Sequence, residues 1–342
     1  MIKKIGLLVG LCTLLFSACS TSHPYFEESG SVFNTLYQIK YQAPQLMTEE
    51  IDAELLAVNL SLNPFNPNSI IAKVNRNEPV EVDDLFKVVF NKSMEISEKS
   101  NGIFDITCAP LINIWGFGFS KQENVTPEMI DSIKQFVGYQ KVRLEGNTIV
   151  KDDPRLMLNC SAIAKGYACD VISNMLERHG VKNYMIEIGG EVTLKGVNEK
   201  GAAWRVGIRK PEEVVSGHPV TIEEVIQLPK KSGVATSGDY QNFYVKDGKK
   251  YAHTINPLTG YPAEQNILSS TIVADDCMTA DGWATAFNAM GLEEACHIGN
   301  SITGLEYFFI YTDDKGNYKT KYSEGMLNYL PNRKELAILE NP

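Results

Sequence analysis

Apolar and polar residues alternate along Val32–Gln42, the period of a strand with one buried face, and this predicts an opening β-strand. Helical spacing takes over in Met47–Leu62, where Glu49, Glu50 and Asp52 suit the positive end of a helix dipole. Asp83–Ser100 predicts a second helix, apolar at Leu85, Val88, Val89 and Ile96. Thr126-Pro127-Glu128 pairs a capping hydroxyl with a proline that fits the first helical position, so a third helix is expected to about Val137. Short strands are expected at Lys141–Glu145 and Leu156–Asn159, followed by a helix over Ile163–Arg178 that Gly180 stops. From Tyr184 to Tyr251 the pattern is strand and turn. Thr279–Met290 and Leu292–Gly299 predict two short helices, and Gly304–Thr312 a late strand. Nothing repeats at a fixed period, and the elements mix without a βαβ rhythm. The expected class is α+β (mixed α/β), with antiparallel sheets and packed helices in a single domain.

The first residues change that picture. Lys3 and Lys4 precede a mostly apolar run, Ile5–Phe16, too short for a spanning helix of about 20 residues. This is the pattern of an export signal. The run ends Phe16-Ser17-Ala18-Cys19, and small residues before a cysteine read either as a lipobox or as an ordinary cleavage site. On the lipobox reading, residues 1–18 are removed, Cys19 carries lipid, and 19–31 form a polar tether ahead of the domain at 32–342.

Charge then excludes a class of partner. The chain carries 32 basic and 42 acidic residues, a net −10, and removing Lys3 and Lys4 makes it −12. Such a surface is not built to neutralise nucleic-acid phosphates. It leaves room for a compact site holding a phosphate beside a metal. Of the seven cysteines, Cys12 leaves with the signal and Cys19 would carry lipid. The other five, an odd number without a CxxC pair, are expected to be buried free thiols.

Several segments offer chemistry, each with a plain structural alternative. Asn159–Tyr167 joins a strand to a helix start: small residues let backbone N–H groups approach an anion and Lys165 adds a point charge, or the segment is simply a tight turn. Gly189-Gly190 permits close approach of a ligand, or a bulge. Asp239 and His253 could form a carboxylate–imidazole pair that orients a base, although a lone histidine is usually structural. Asp281 and Thr285 lie four apart, on one helix face. Carboxylate, hydroxyl and carbonyl oxygens make a hard set suited to Mg²⁺, but an acid in a first helical turn also serves as a cap. Trp115-Gly116-Phe117-Gly118-Phe119 could clamp a flat ring system or pack a core.

In order, FNTLYQIKY, NPNSIIAKVN, NGIFDITCAP, WGFGF, LNCSAIAKGYACD, IGGEVTLKG, WRVGI, TSGDYQNF, HTINPLTGYP and CMTADGWATA span Phe33 to Ala286. Together they resemble the ApbE family, the FAD:protein FMN transferases. The resemblance implies an exported, lipid-anchored enzyme with Mg²⁺ as cofactor and FAD as substrate. A client threonine or serine hydroxyl attacks the FMN-side phosphorus, AMP leaves, and FMN stays as a phosphoester. It implies metal ligation by the carbonyls of Ala162 and Ala284, with Asp281 and Thr285. It implies FAD contacts at Phe33, Phe65, Ile103, Phe104, Asp105, Asn159, Lys165 and Ile255, and His253 as general base. Asn159 stands where the family has Asp, and Phe33-Asn34 where it often has Met-Gly. Many family members are periplasmic lipoproteins, which agrees with a lipobox at Cys19. Implied clients are FMN-carrying subunits of the Na⁺-translocating NADH:quinone reductase and the Rnf complex. The alternatives are an FAD pyrophosphatase, with water in place of the client hydroxyl, and a non-catalytic FAD-binding lipoprotein.

Overall fold

In the computed structural model the chain enters a sheet at Tyr25, earlier than its pattern predicts. The structure describes residues 23–118, 124–211, 221–238, 243–246, 249–252, 254–263 and 266–331. Cys19, Phe119, Asp239 and His253 lie outside these residues. Strand β1 (Tyr25–Val32) pairs antiparallel with β2 (Thr35–Gln42). The expected strand from Val32 is therefore broken at Phe33 and Asn34, whose φ values of 52° and 59° belong to a tight hairpin turn. Residues 25–31, expected as tether, are instead an edge strand: YFEESGSV places Phe26 and Val32 against the core.

Helices α1 (Thr48–Leu62), α2 (Ile70–Asn75), α3 (Asp84–Lys99), α4 (Ala109–Ile114) and α5 (Pro127–Lys134) follow. Asp83 caps α3 by accepting the Phe86 N–H, and Thr126 caps α5 by accepting that of Met129. Helix α5 stops at Lys134, short of Val137, because Phe136 and Val137 turn into a small apolar cluster with Leu111, Trp115 and Ile130. Strand β3 (Val142–Glu145) pairs with β4 (Thr148–Lys151) in a hairpin. Residues 156–159 are not a strand. Met157 makes one bridge to Cys108, and Leu156 and Leu158 are simply buried.

Helix α6 (Ala164–Arg178) leads to β5 (Tyr184–Ile188) and β6 (Glu191–Lys195). Next come β7 (Trp204–Arg209), β8 (Ile222–Leu228), β9 (Ser232–Gly238), β10 (Phe243–Lys246), β11 (Lys249–Ala252) and β12 (Ile267–Ala274). The chain continues through α7 (Cys277–Met290), α8 (Leu292–Ser301), β13 (Glu306–Thr312) and β14 (Tyr318–Tyr322). One eight-stranded sheet runs β1-β2-β5-β6-β9-β12-β13-β14, every neighbour antiparallel. The mixed α/β class with antiparallel sheet is thus the observed one.

Both faces of this sheet are buried, and strand periodicity sorts the side chains. Ile39, Ile186, Ala235, Ile272 and Phe309 face helices α1, α3, α6 and α7. Val192, Val234, Val273, Phe308 and Ile310 face the β7–β8 hairpin and Met326. Helix α7 lies so close to α6 and β9 that a Cβ on Gly166 would fall 2.3 Å from the Cys277 carbonyl oxygen and 2.7 Å from Asp281 Cβ. Only glycine allows that crossing. The five cysteines in the described residues are free, as expected. Cys160, Cys169 and Cys277 are buried, but Cys108 and Cys296 are only half-buried. Among the described residues, no helix is long and apolar enough to cross a membrane.

Candidate active site

Where the start of α6 and the second turn of α7 meet the ends of β5, β6 and β9, a cleft of about 780 Å³ opens. It gathers Phe33, Phe65, Ile103, Phe104, Asp105, Asn159, Ala162, Lys165, Ile255, Asp281 and Thr285 from six separate stretches of sequence. Ala284 does not join them. It is buried mid-helix, where its carbonyl belongs to the helical hydrogen-bond ladder, and its assignment as a metal ligand is not supported. Cys19 and His253 fall outside the described residues.

The first turn of α7 is held by two carboxylates. Asp170, on α6, accepts the N–H groups of Cys277 (3.0 Å) and Met278 (2.8 Å). Asp276 caps the helix by accepting the Thr279 N–H at 2.7 Å. With three of the N–H groups that every helix start leaves open now satisfied, the capping explanation for Asp281 is removed. Its Oδ2 instead accepts the Gly166 N–H at 2.9 Å, across the helix crossing.

That bond has a consequence for Ala162. In a regular helix the Gly166 N–H would bond the Ala162 carbonyl, four residues back. Here it is turned to Asp281, so the Ala162 carbonyl on the cleft wall is not taken by it. The Asp281 carboxylate, Thr285 hydroxyl and Ala162 carbonyl thus line one cavity, a hard oxygen set that fits Mg²⁺. Among the described residues no three His, Cys, Asp or Glu side chains form a ready metal cluster, so carbonyl and hydroxyl oxygens are needed to complete such a site.

Lys165 reaches between two acids, with Nζ 2.8 Å from Glu191 Oε1 and 3.9 Å from Asp281 Oδ1. Burial pushes the Asp281 carboxyl up; Lys165 and the Gly166 N–H pull it back. Burial likewise lifts Glu191 to about 7 against the pull of Lys165. Burial opposes the charge on Lys165, but Asp281 and Glu191 outweigh it and hold the ammonium above its ordinary range. Glu191 is the charged side chain of the cleft that the sequence reading does not single out. The signal was present: an acid directly after two glycines, where β6 begins. Gly189 and Gly190 have φ of +65° and +105° and make the turn, and Gly189 also lines the cleft. The turn reading of that glycine pair is the observed one.

Other expected contacts divide by how their polar atoms are used. Asp105 lines the cleft, but its oxygens accept the N–H groups of Thr107 (2.7 Å) and Tyr139 (2.8 Å) and brace the wall. Asn159 Oδ1 accepts the Ser161 N–H at 2.9 Å, shaping the turn into α6 without charge. In the glycine-aromatic segment, Trp115 belongs to the core. Its Nε1 donates to the Gly260 carbonyl at 2.9 Å, and its ring lies 5.9 Å from that of Tyr261. Phe117 lines the cleft, and Phe119 is outside the described residues. Asn256 folds the neighbouring loop by accepting the N–H groups of Leu258 and Thr259, which sets Ile255 on the cleft wall.

The ApbE family pattern matches residues 33–309. The FAD:protein FMN transferase of Vibrio cholerae is 35% identical over 319 residues, covering 90% of this chain and 94% of that one. The enzyme of the same name from Haemophilus influenzae is 33% identical over 331 residues, covering 91% and 94%. Among solved structures, the flavin transferase ApbE from Vibrio cholerae superposes with a TM-score of 0.80 at 33% identity, covering 90% of this chain and 99% of that one. The flavinyl transferase ApbE of Pseudomonas stutzeri, in its apo form, does so at 0.80 and 27%, covering 90% and 98%.

Proposed function

This chain belongs to the ApbE family, and from that premise we propose that it is an FAD:protein FMN transferase acting on exported client proteins. The observation that carries the reading is the Lys165–Glu191–Asp281 cluster, set at the inner end of a cleft whose outer wall holds Phe33, Phe65 and Phe117. A dinucleotide with a flat ring system and a pyrophosphate needs both ends.

In this proposal Lys165 orients the pyrophosphate, and aromatic side chains hold the isoalloxazine. The Ala162 carbonyl, Asp281 and Thr285 would hold Mg²⁺. When bound, it neutralises charge on the transferred phosphoryl group and its leaving AMP. A client threonine or serine oxygen bonds to the FMN-side phosphorus, and the bond from that phosphorus to the bridging oxygen breaks. AMP departs with the bridging oxygen, and the hydroxyl proton passes to a base, for which His253 is the candidate. Catalysis of this kind is chiefly positioning and charge neutralisation. The proposal also includes lipid attachment at Cys19 and an exported, membrane-anchored location. Its clients would be FMN-carrying subunits of the Na⁺-translocating NADH:quinone reductase or of Rnf complexes.

The test is to incubate the full chain in detergent with FAD, Mg²⁺ and a client domain, following flavin on the client and AMP in solution. Client-bound FMN with stoichiometric AMP is expected. FMN and AMP released free, with or without client, would replace transfer by pyrophosphatase action. Tight FAD binding without AMP would leave only a flavin carrier.

A further inference from the structure

The inner end of the cleft carries more negative charge than a pyrophosphate pocket needs. Around Lys165 Nζ stand two carboxylates, Glu191 at 2.8 Å and Asp281 at 3.9 Å, and above the point near pH 7 where buried Glu191 loses its proton the trio sums to −1. The fourth charged group of the wall, Asp105, accepts the N–H groups of Thr107 and Tyr139. Glu191 is only 5% exposed, and its Oε2 is buried with no hydrogen-bond donor. A buried carboxylate oxygen left without a donor raises the free energy of the folded state, so its place is set by something other than local stability. The fold nevertheless directs it there. Val192 faces the opposite side of the sheet, and strand alternation turns Glu191 toward the helices and Lys165.

We infer that Glu191 sets the order of loading: it holds the cation-free cleft net negative, so that a dinucleotide pyrophosphate binds well only after a divalent cation has entered. The inference rests on the flavin-transferase reading of the site. Glu191 need not touch the substrate. It offsets the positive charge of Lys165, and the charge that Asp281 contributes is then left for the cation. Once the cation is present the local sum becomes positive, and Lys165 can be shared with phosphate oxygens. Removing one negative charge at this range inside a partly desolvated pocket is worth about tenfold or more in the affinity of an anion.

The experiment measures FAD binding by flavin fluorescence at about pH 8.5, where Glu191 is ionised, in EDTA and in Mg²⁺, for the full chain in detergent and for Glu191→Gln and Glu191→Asp. The wild type should bind FAD at least about tenfold more tightly in Mg²⁺. Glu191→Gln should gain about tenfold in EDTA while changing little in Mg²⁺, and Glu191→Asp, which keeps the charge, should retain the wild-type dependence. A purely structural role for Glu191 predicts weaker binding in both conditions and no gain in EDTA, which would overturn the inference. A wild type that binds equally well with and without Mg²⁺ would overturn it too, even if Glu191→Gln does not fold. No FAD binding in any condition would instead remove the flavin-transferase reading beneath it.

Discussion

The two ends of the cleft are built in opposite ways. At the inner end each charged group is held by several others. Asp170 and Asp276 pin the start of α7, Asp281 bonds the Gly166 N–H, and Lys165 lies between Glu191 and Asp281. At the outer end the side chains are large and apolar: Phe65 is 47% exposed, and Phe33, on a two-residue hairpin turn, is half-buried against the core. The inner end can hold charge in place without rearranging, which is what phosphoryl chemistry requires. The rim can adjust to a flavin and a client without disturbing that centre. Substitutions should therefore sort by end: inner ones alter rate as well as binding, and outer ones alter binding alone.

Asp281→Ala should show the largest effect. Loss of the carboxylate removes the only acid of the proposed oxygen set, and Mg²⁺-dependent transfer should fall by at least about 10²-fold, the size seen when one preorganised electrostatic group is deleted. The fold should persist, because removing a desolvated acid offsets the Gly166 N–H left without its acceptor. Steady-state transfer and a thermal melt run together decide it. Full turnover in the variant would sink the metal assignment.

Gly166→Ala tests whether the helix crossing sets the inner geometry. Alanine is the better helix former by roughly 1 kcal/mol, so propensity alone predicts a more stable protein. The added Cβ would lie 2.3 Å from the Cys277 carbonyl oxygen, backbone that cannot swing aside. Overpacking of about 1–3 kcal/mol should win, lowering both melting temperature and rate. A melt at or above wild type would show that α6 and α7 can separate.

Asp170→Asn probes the same end through pH. Burial holds the Asp170 carboxyl near 7, against an ordinary 3.8, and its bonds from Cys277 and Met278 only partly oppose this. Between about pH 4 and about 7 the folded protein keeps a proton that the unfolded chain has released, so this group's contribution to stability declines as pH rises. The asparagine variant cannot titrate, and its melting temperature should change less across that window. Equal pH slopes in the two proteins would show that Asp170 is not the group responsible.

Much of the inner end was legible in the sequence because its chemistry is local. Asp281 and Thr285 share one helix face by spacing, and Lys165 opens a helix after a run of small residues. What was not legible depends on contacts between distant segments. Glu191 acquires its role only when β6 sets it beside Lys165. The Ala162 carbonyl is opened by a hydrogen bond spanning residues 166 and 281. Strand β12 was missed because Ser269, Ser270 and Thr271 interrupt its apolar run, although all three are buried in the middle of the sheet. Strand β1 reads as tether in the sequence because an edge strand hides few side chains, and YFEESGSV shows little alternation of its own.

Phe65→Ala carries the comparison to its smallest expected effect. Phe65 follows α1 in a turn where its N–H is accepted by Asn63 Oδ1 at 3.0 Å, a bond made by backbone and therefore kept in the variant. The ring lines the cleft yet is nearly half exposed, so its removal opens no core cavity, and stability should stay within about 0.5 kcal/mol. Stacking by an aromatic side chain is worth about 0.5–1.5 kcal/mol beyond area burial, which corresponds to a rise in KM for FAD of about two- to tenfold. Because the ring makes none of the Lys165–Glu191–Asp281 contacts, kcat should be unchanged: binding that is equal in ground and transition states shifts KM alone. If kcat falls with KM unaltered, the rim takes part in aligning the phosphorus for attack, and the separation between a rigid charged end and a compliant aromatic one does not hold.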